Sequence, residues 1–220
     1  MNARWAGVEA VLLDMDGTLL DLAFDDDFWQ QRLPRAYARR HRLSLVTARA
    51  HLAPWFESQR GRLNWYCLDW WSRQTGIDLI ELTRRSRTRI AVLPGALDFL
   101  DALAARGLAA WLVTNAHPAG LTLKLERTGL TPRFARIVCA HELGVPKEDP
   151  RFWPALHRRH AFPPQRTILI DDNLEALAAA NRFGIGQVLA IRRPNSQRAP
   201  REIGGLPAVD TLADLLPISY

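Results

Sequence analysis

Two rhythms of hydrophobic and polar positions divide the chain. Between residues 25 and 88 the sets Phe28/Arg32/Leu33, Ala48/Leu52/Trp55 and Leu63/Tyr66/Trp70 recur at spacings near three and four, which line one face of a helix. Ser44 and the Thr75-Gly76 pair read as helix boundaries within that stretch. Outside it, short apolar runs alternate with helical segments. Strands are predicted at 8–14, 108–114, 135–140, 167–171 and 187–191, and helices at 96–106, 119–128, 149–160 and 174–183. The Pro- and Gly-rich tail beyond 191 reads as loop, with one short helix near 212–215. Strands alternating with helices predict an α/β fold, a Rossmann-like parallel sheet with helices on both faces. A βαβ unit needs roughly 30 residues, yet the strands ending at 14 and 114 lie about three times that apart. The surplus is the helical stretch. The expected organisation is an α/β core from 1–20 and 93–220, with an inserted α-helical cap at 21–92.

Composition narrows the class. Of 220 residues 48% are hydrophobic, enough for a substantial core. The two cysteines, Cys67 and Cys139, form neither a disulfide framework nor a zinc pattern. No apolar run approaches the ~20 residues of a membrane span, and the first strand follows Met1 too closely for a removable signal peptide. A cytoplasmic enzyme is therefore expected, with no membrane partner. The net charge of +6 is spread over scattered arginines without a basic block, so no nucleic-acid partner is expected. Only two of the 29 basic residues are lysines, Lys124 and Lys147. In a chain this rich in arginine, a lysine marks a place where a compact point charge is needed.

The candidate chemistry lies at strand ends. Asp14-Met15-Asp16-Gly17-Thr18 closes the first strand with carboxylates at i and i+2, which point the same way in a strand. Clustered carboxylates call for a hard cation such as Mg²⁺, and Gly17 lets backbone N–H groups approach an anion. Thr114-Asn115 puts a hydroxyl and an amide before a helix, a pattern shared by anion sites and ordinary N-caps. Lys147 follows Pro146 in a loop, and Asp171-Asp172-Asn173 closes the fourth strand with a second acid pair.

These four elements, in this order, resemble the haloacid dehalogenase superfamily of aspartate-nucleophile hydrolases, including the cap inserted after the first motif. The resemblance implies a Mg²⁺-dependent phosphatase. By position Asp14 would be the nucleophile and Asp16 the general acid/base. Thr114, with Asn115 beside it, would bind the phosphoryl group, and Lys147 would neutralise charge. Mg²⁺ would be held by Asp14, Asp16, Asp171 and Asp172. Asn173 stands where many relatives have serine, and Glu175 is an alternative to Asp172 as outer ligand.

The cap carries five of the eight tryptophans and thirteen arginines. On the expected helix through 63–71, Tyr66 and Trp70 share the core stripe, while Asn64, Trp65 and Asp69 lie off it and could reach a ligand. A stacked ring beside a polar reader of a purine edge would suit a nucleotide. The segments LLDMDGTLLDLAFDDDFW, LNWYCLDWW, TNAHPAGLTLKLERTGL and PKED resemble a bacterial GMP/IMP nucleotidase subgroup of the superfamily. That resemblance implies a small phosphorylated metabolite, a purine nucleoside monophosphate, as partner, with Asn64 and Trp65 as substrate-binding candidates. Lys124 is expected on the surface of the helix after Thr114, and His117 at that helix's entry.

Overall fold

The computed structural model describes residues 5–218. Six strands, β1 (Ala10–Leu13), β2 (Ala109–Thr114), β3 (Arg136–Cys139), β4 (Thr167–Asp171), β5 (Gln187–Ile191) and β6 (Ala208–Val209), form one parallel sheet in the order β3-β2-β1-β4-β5-β6. Side chains alternate across it, as period two requires. Val11, Leu13, Ile168 and Ile170 enter one apolar cluster, while Leu12, Leu169, Trp111 and Val113 enter the other. Both faces are covered, and the central strands β1 and β4 are buried along their whole length. Strand β6 departs from the expectation of a tail that is loop with one short helix and no strand. It is two residues long and pairs with the end of β5, too short for an alternating pattern to register. The short helical turn at Leu212–Leu215 is where it was expected.

The helices follow the chain as α1 (Ala23–Asp27), α2 (Leu33–His41), α3 (Leu45–Gln59), α4 (Leu68–Thr75), α5 (Leu79–Ser86), α6 (Ala96–Ala105), α7 (Pro118–Thr128), α8 (Phe152–Arg159) and α9 (Leu174–Phe183). Ser44 caps α3 by accepting from the Thr47 amide, and Gly76 ends α4 at φ +70. Residues 28–79 contribute a third apolar cluster, centred on Phe28, Leu33, Leu52, Trp71 and Leu79. The two chain crossings flanking this region run side by side. The Asp21 amide donates to the Ala91 carbonyl (2.9 Å) and the Leu93 amide to the Leu19 carbonyl (2.8 Å).

The helix expected through 63–71 is broken. Leu63–Tyr66 is a single 3₁₀ turn, and Cys67 is extended (φ −87, ψ 101), its sulfur accepting from the Trp70 amide to start α4. The 63/66/70 stripe therefore does not exist as one face. Trp71 is the fully buried ring, its indole N–H donating to the Trp65 carbonyl (3.0 Å). Among the described residues no helix is long and apolar enough to cross a membrane.

The lead into β5 depends on Gly186, whose amide donates to Pro164 (2.9 Å). A Cβ there would lie inside contact distance of the Gln165 carbonyl oxygen. Because the obstructing atoms are backbone, Gly186→Ala should lower stability by at least about 1–3 kcal/mol. A urea titration checks this, and an unchanged midpoint would contradict the packing described.

Candidate active site

The sheet order reverses direction between β1 and β4, and ligands of open α/β sheets bind outside the carboxyl ends of strands at such a point. Asp14 lies one residue beyond β1 and its amide donates to Ile170 in β4 (3.0 Å). Asp171 ends β4, and Asp172 follows it. One oxygen from each of Asp14, Asp171 and Asp172 lies within 4.8 Å of the others. Asn173 caps α9, accepting from the Glu175 and Ala176 amides.

Lys147, only 1% exposed, joins the strand ends. Its Nζ donates to Asp14 Oδ1 (2.5 Å) and Asp171 Oδ2 (2.6 Å). The loop holding it is fixed on both sides. The Lys147 amide donates to Asn115 Oδ1 (2.9 Å) and its carbonyl accepts from the Trp153 indole (3.0 Å). Asn115 Nδ2 donates to Glu148 Oε2 (2.8 Å), and the other Glu148 oxygen accepts from the Tyr66 hydroxyl (2.8 Å). The Asn115 amide thus braces the lysine loop through Oδ1 and one Nδ2 hydrogen, while the residue also lines the cavity. The buried Thr114 hydroxyl lines the cavity and accepts from the Ala116 amide (3.0 Å).

Asp16 behaves differently from Asp14. Strand β1 ends at Leu13 and the chain turns through Gly17 at φ +95, so period-two alternation stops before Asp16. Its carboxylate is absent from the acid cluster and instead lies 2.7 Å from Lys124 Nζ. This sets the carboxylate of Asp16, a residue expected among those holding the metal, apart from the cluster of Asp14, Asp171 and Asp172. It also corrects Lys124, which is 4% exposed and not a surface residue. Its Nζ also donates to both oxygens of Asp25 in α1 (2.8 and 2.9 Å). Glu175 is exposed and lies outside the cluster, which includes Asp172. Gly17 does not offer its N–H to a ligand, since it donates to Leu20 (2.7 Å). Its need is steric: a Cβ would stand 2.7 Å from Asp172 Cγ and 2.9 Å from Pro194 Cβ.

The electrostatics follow from burial. Desolvation raises the Asp14 carboxyl well above its ordinary range, against the pull of Lys147 and with the neighbouring acids adding to it. Burial, then Asp171, pushes Asp172 up to about 7, and burial, then Asp16, pushes Asp25 to about 7. Burial opposes charge on both lysines, yet their paired carboxylates outweigh it and raise them. Five acids thus crowd two ammonium groups, and the second Asp14 oxygen, Oδ2, is buried without a hydrogen-bond partner. An oxygen-only donor set with excess negative charge and an unpartnered carboxylate oxygen fits Mg²⁺.

These groups floor a cavity of about 920 Å³. Phe24, Phe28, Trp29, Phe56, Trp65 and Tyr66 wall it from the 21–92 region, with Arg49 and Arg60 also in its lining. Trp65 meets Phe56 edge-on at 5.7 Å. Asn64 does not join it; exposed, it donates to Gln59 (3.1 Å). Asp69 is exposed too and faces His117 Nε2 at 3.4 Å, while His117 caps α7 through Nδ1. Tyr66 is no cap-core ring, since the break at Cys67 frees it to reach Glu148.

Asp25, Glu148 and Arg201, whose Nη2 donates to the Asp172 carbonyl (2.7 Å), had no local signal, because their partners lie tens of residues away. Lys124 had one: the scarcity of lysine that singled out Lys147 applied to it equally.

The sequence profile of the haloacid dehalogenase-like hydrolases matches residues 8–184. Over 217 residues the chain is 38% identical to the GMP/IMP nucleotidase YrfG of Escherichia coli, covering 99% of this chain and 98% of that one. It is 32% identical over 96 residues to a phosphoserine phosphatase of Thermus thermophilus, covering 44% and 39%. Its fold is similar to the crystal structure of a HAD phosphatase from Thermococcus onnurineus, with TM-score 0.78, 24% identity, and 94% and 96% of the two chains covered. With the acid cluster at the strand ends and Lys147 reaching it from a loop, the chain belongs to the haloacid dehalogenase-like hydrolases.

Proposed function

We propose that this protein is a Mg²⁺-dependent phosphomonoester hydrolase working through an aspartyl-phosphate on Asp14, with the purine 5′-monophosphates GMP and IMP as substrates. The observation that carries the reading is the state of Asp14: one oxygen held by Lys147, the other buried without a hydrogen-bond partner, at the floor of a cavity. In-line attack by Asp14 forms the Asp14–phosphorus bond as the phosphorus–ester oxygen bond breaks. Asp16 gives its proton to the departing alkoxide, then takes one from the water that cleaves the acyl phosphate. Lys147 offsets charge on Asp14 and the phosphoryl oxygens, and the Thr114 hydroxyl binds one of those oxygens. Asp14, Asp171 and Asp172 would hold Mg²⁺, which when bound supplies positive charge against the phosphoryl group. A halide would leave without a proton, so a dehalogenase would leave Asp16 idle.

Residues 1–20 and 93–220 serve as the catalytic core and 21–92 as the cap, an assignment supported by the separate apolar cluster within 28–79. The purine preference rests on the near full-length similarity to the nucleotidase and on the aromatic cavity wall around Trp65. A cytoplasmic setting suits two unpaired cysteines.

A phosphate-release screen over nucleotides, sugar phosphates and small phosphorylated acids tests the reading. GMP and IMP should be hydrolysed best, and excess chelator should abolish turnover, with Mg²⁺ restoring it. A preference for sugar phosphates would remove the nucleotidase assignment, and activity indifferent to chelator would remove the metal.

Trp65→Ala should lower kcat/KM for GMP and IMP by ~1–3 kcal/mol, the scale of one stacked base. Hydrolysis of p-nitrophenyl phosphate should hardly change, provided a circular-dichroism melt shows the variant folded. Equal losses on both substrates would take Trp65 out of recognition.

A further inference from the structure

Lys124 is the buried charge that the proposed reaction leaves without a task. Its side chain is 5% exposed, although it lies on a helix whose expected face for a lysine is solvent. It meets three things: Asp16 at 2.7 Å, both oxygens of Asp25, and the Phe24 ring, whose centroid is 5.6 Å from Nζ. Phe24 and Asp25 belong to α1, just past the first chain crossing; Asp16 belongs to the turn after β1; Lys124 belongs to α7. The ammonium therefore ties three separate segments at the cavity wall. The neighbouring acids set the constraint on Asp16. It stands two residues from Asp14, close to three carboxylates that share one cluster. A free Asp16 side chain could swing toward a divalent cation held there, which would take its carboxylate out of reach of the ester oxygen.

We propose that Lys124 is the positioning residue for Asp16: its ammonium, anchored by Asp25, keeps that carboxylate out of the acid cluster and available to the ester oxygen of the substrate. The chain's two lysines then divide the work, Lys147 fixing Asp14 and Lys124 fixing Asp16. Lysine suits both places because a compact ammonium can bridge two carboxylates in a closed space. The inference rests on the reading of Asp16 as the group that transfers the proton.

The test is leaving-group dependence in Lys124→Met, which keeps the length of the stem and removes the charge. Proton transfer to a nucleoside alkoxide contributes ~10²–10⁴-fold, whereas nitrophenolate leaves without help. Lys124→Met should therefore lose at least about tenfold in kcat on GMP relative to p-nitrophenyl phosphate. Where the unpaired Asp25 prevents folding, Lys124→Met/Asp25→Asn removes both charges and should show the same ratio. A merely structural lysine would lower both substrates alike, and that result, or no loss on either, overturns the proposal. Asp16→Asn run in parallel separates the two ideas. If Asp16→Asn shows the leaving-group effect and the lysine variants do not, the positioning role fails alone. If Asp16→Asn shows none, the proton-transfer reading fails and the positioning role with it.

Discussion

Five carboxylates are gathered around two buried ammonium groups at the carboxyl end of one parallel sheet, and much of the molecule serves that crowding. Charges withdrawn from water cost several kcal/mol each unless paired. Each lysine here bridges two acids from different segments, so neither charge stands alone. The acids still outnumber their partners, and burial accordingly pushes Asp172 and Asp25 up to about 7. A dianionic phosphate would be repelled by this floor, and a divalent cation reverses the balance. The same crowding suits the joint binding of a cation and a phosphoryl group on which the proposed function rests.

The surrounding structure supports those pairs. The sheet order brings β1 beside β4, so Asp14 and Asp171 meet without any long side chain reaching across. Lys147 is held through its backbone by Asn115 and Trp153, leaving the whole side chain for the acids. The 21–92 region touches this machinery through Tyr66 on Glu148 and Asp25 on Lys124, among other contacts. Each of these two reaches one of the two lysines, Tyr66 through Glu148 and Asn115 and Asp25 directly. Those contacts join that region to the surroundings of both lysines.

Much of this was legible in the sequence because it is local. Apolar runs of strand length ending on Asp14, Thr114 and Asp171 carry their own direction, and in the structure all three residues stand at strand ends. Lysine scarcity pointed to Lys147 from composition alone. The failures share a cause as well. Strand periodicity run past the strand's last residue did not foresee that Asp16 turns to Lys124, and a helix run through Cys67, where the backbone is extended, misplaced Tyr66 but not Trp70, which packs on the 28–79 cluster. Strand β6 is too short to pattern. Lys124 was put at the surface because its partners, Asp16 and Asp25, are about a hundred residues earlier, and no local rule brings them there.

The most direct measurement is where phosphate resides during turnover. Wild-type enzyme mixed with Mg²⁺ and excess GMP, quenched in acid within a turnover and digested, should carry a phosphoryl group on the peptide containing Asp14. Borohydride reduction should convert that acyl phosphate to homoserine at position 14. A phosphoryl group on any other residue, or hydrolysis that proceeds with no covalent species on Asp14 under rapid quench, would contradict the account.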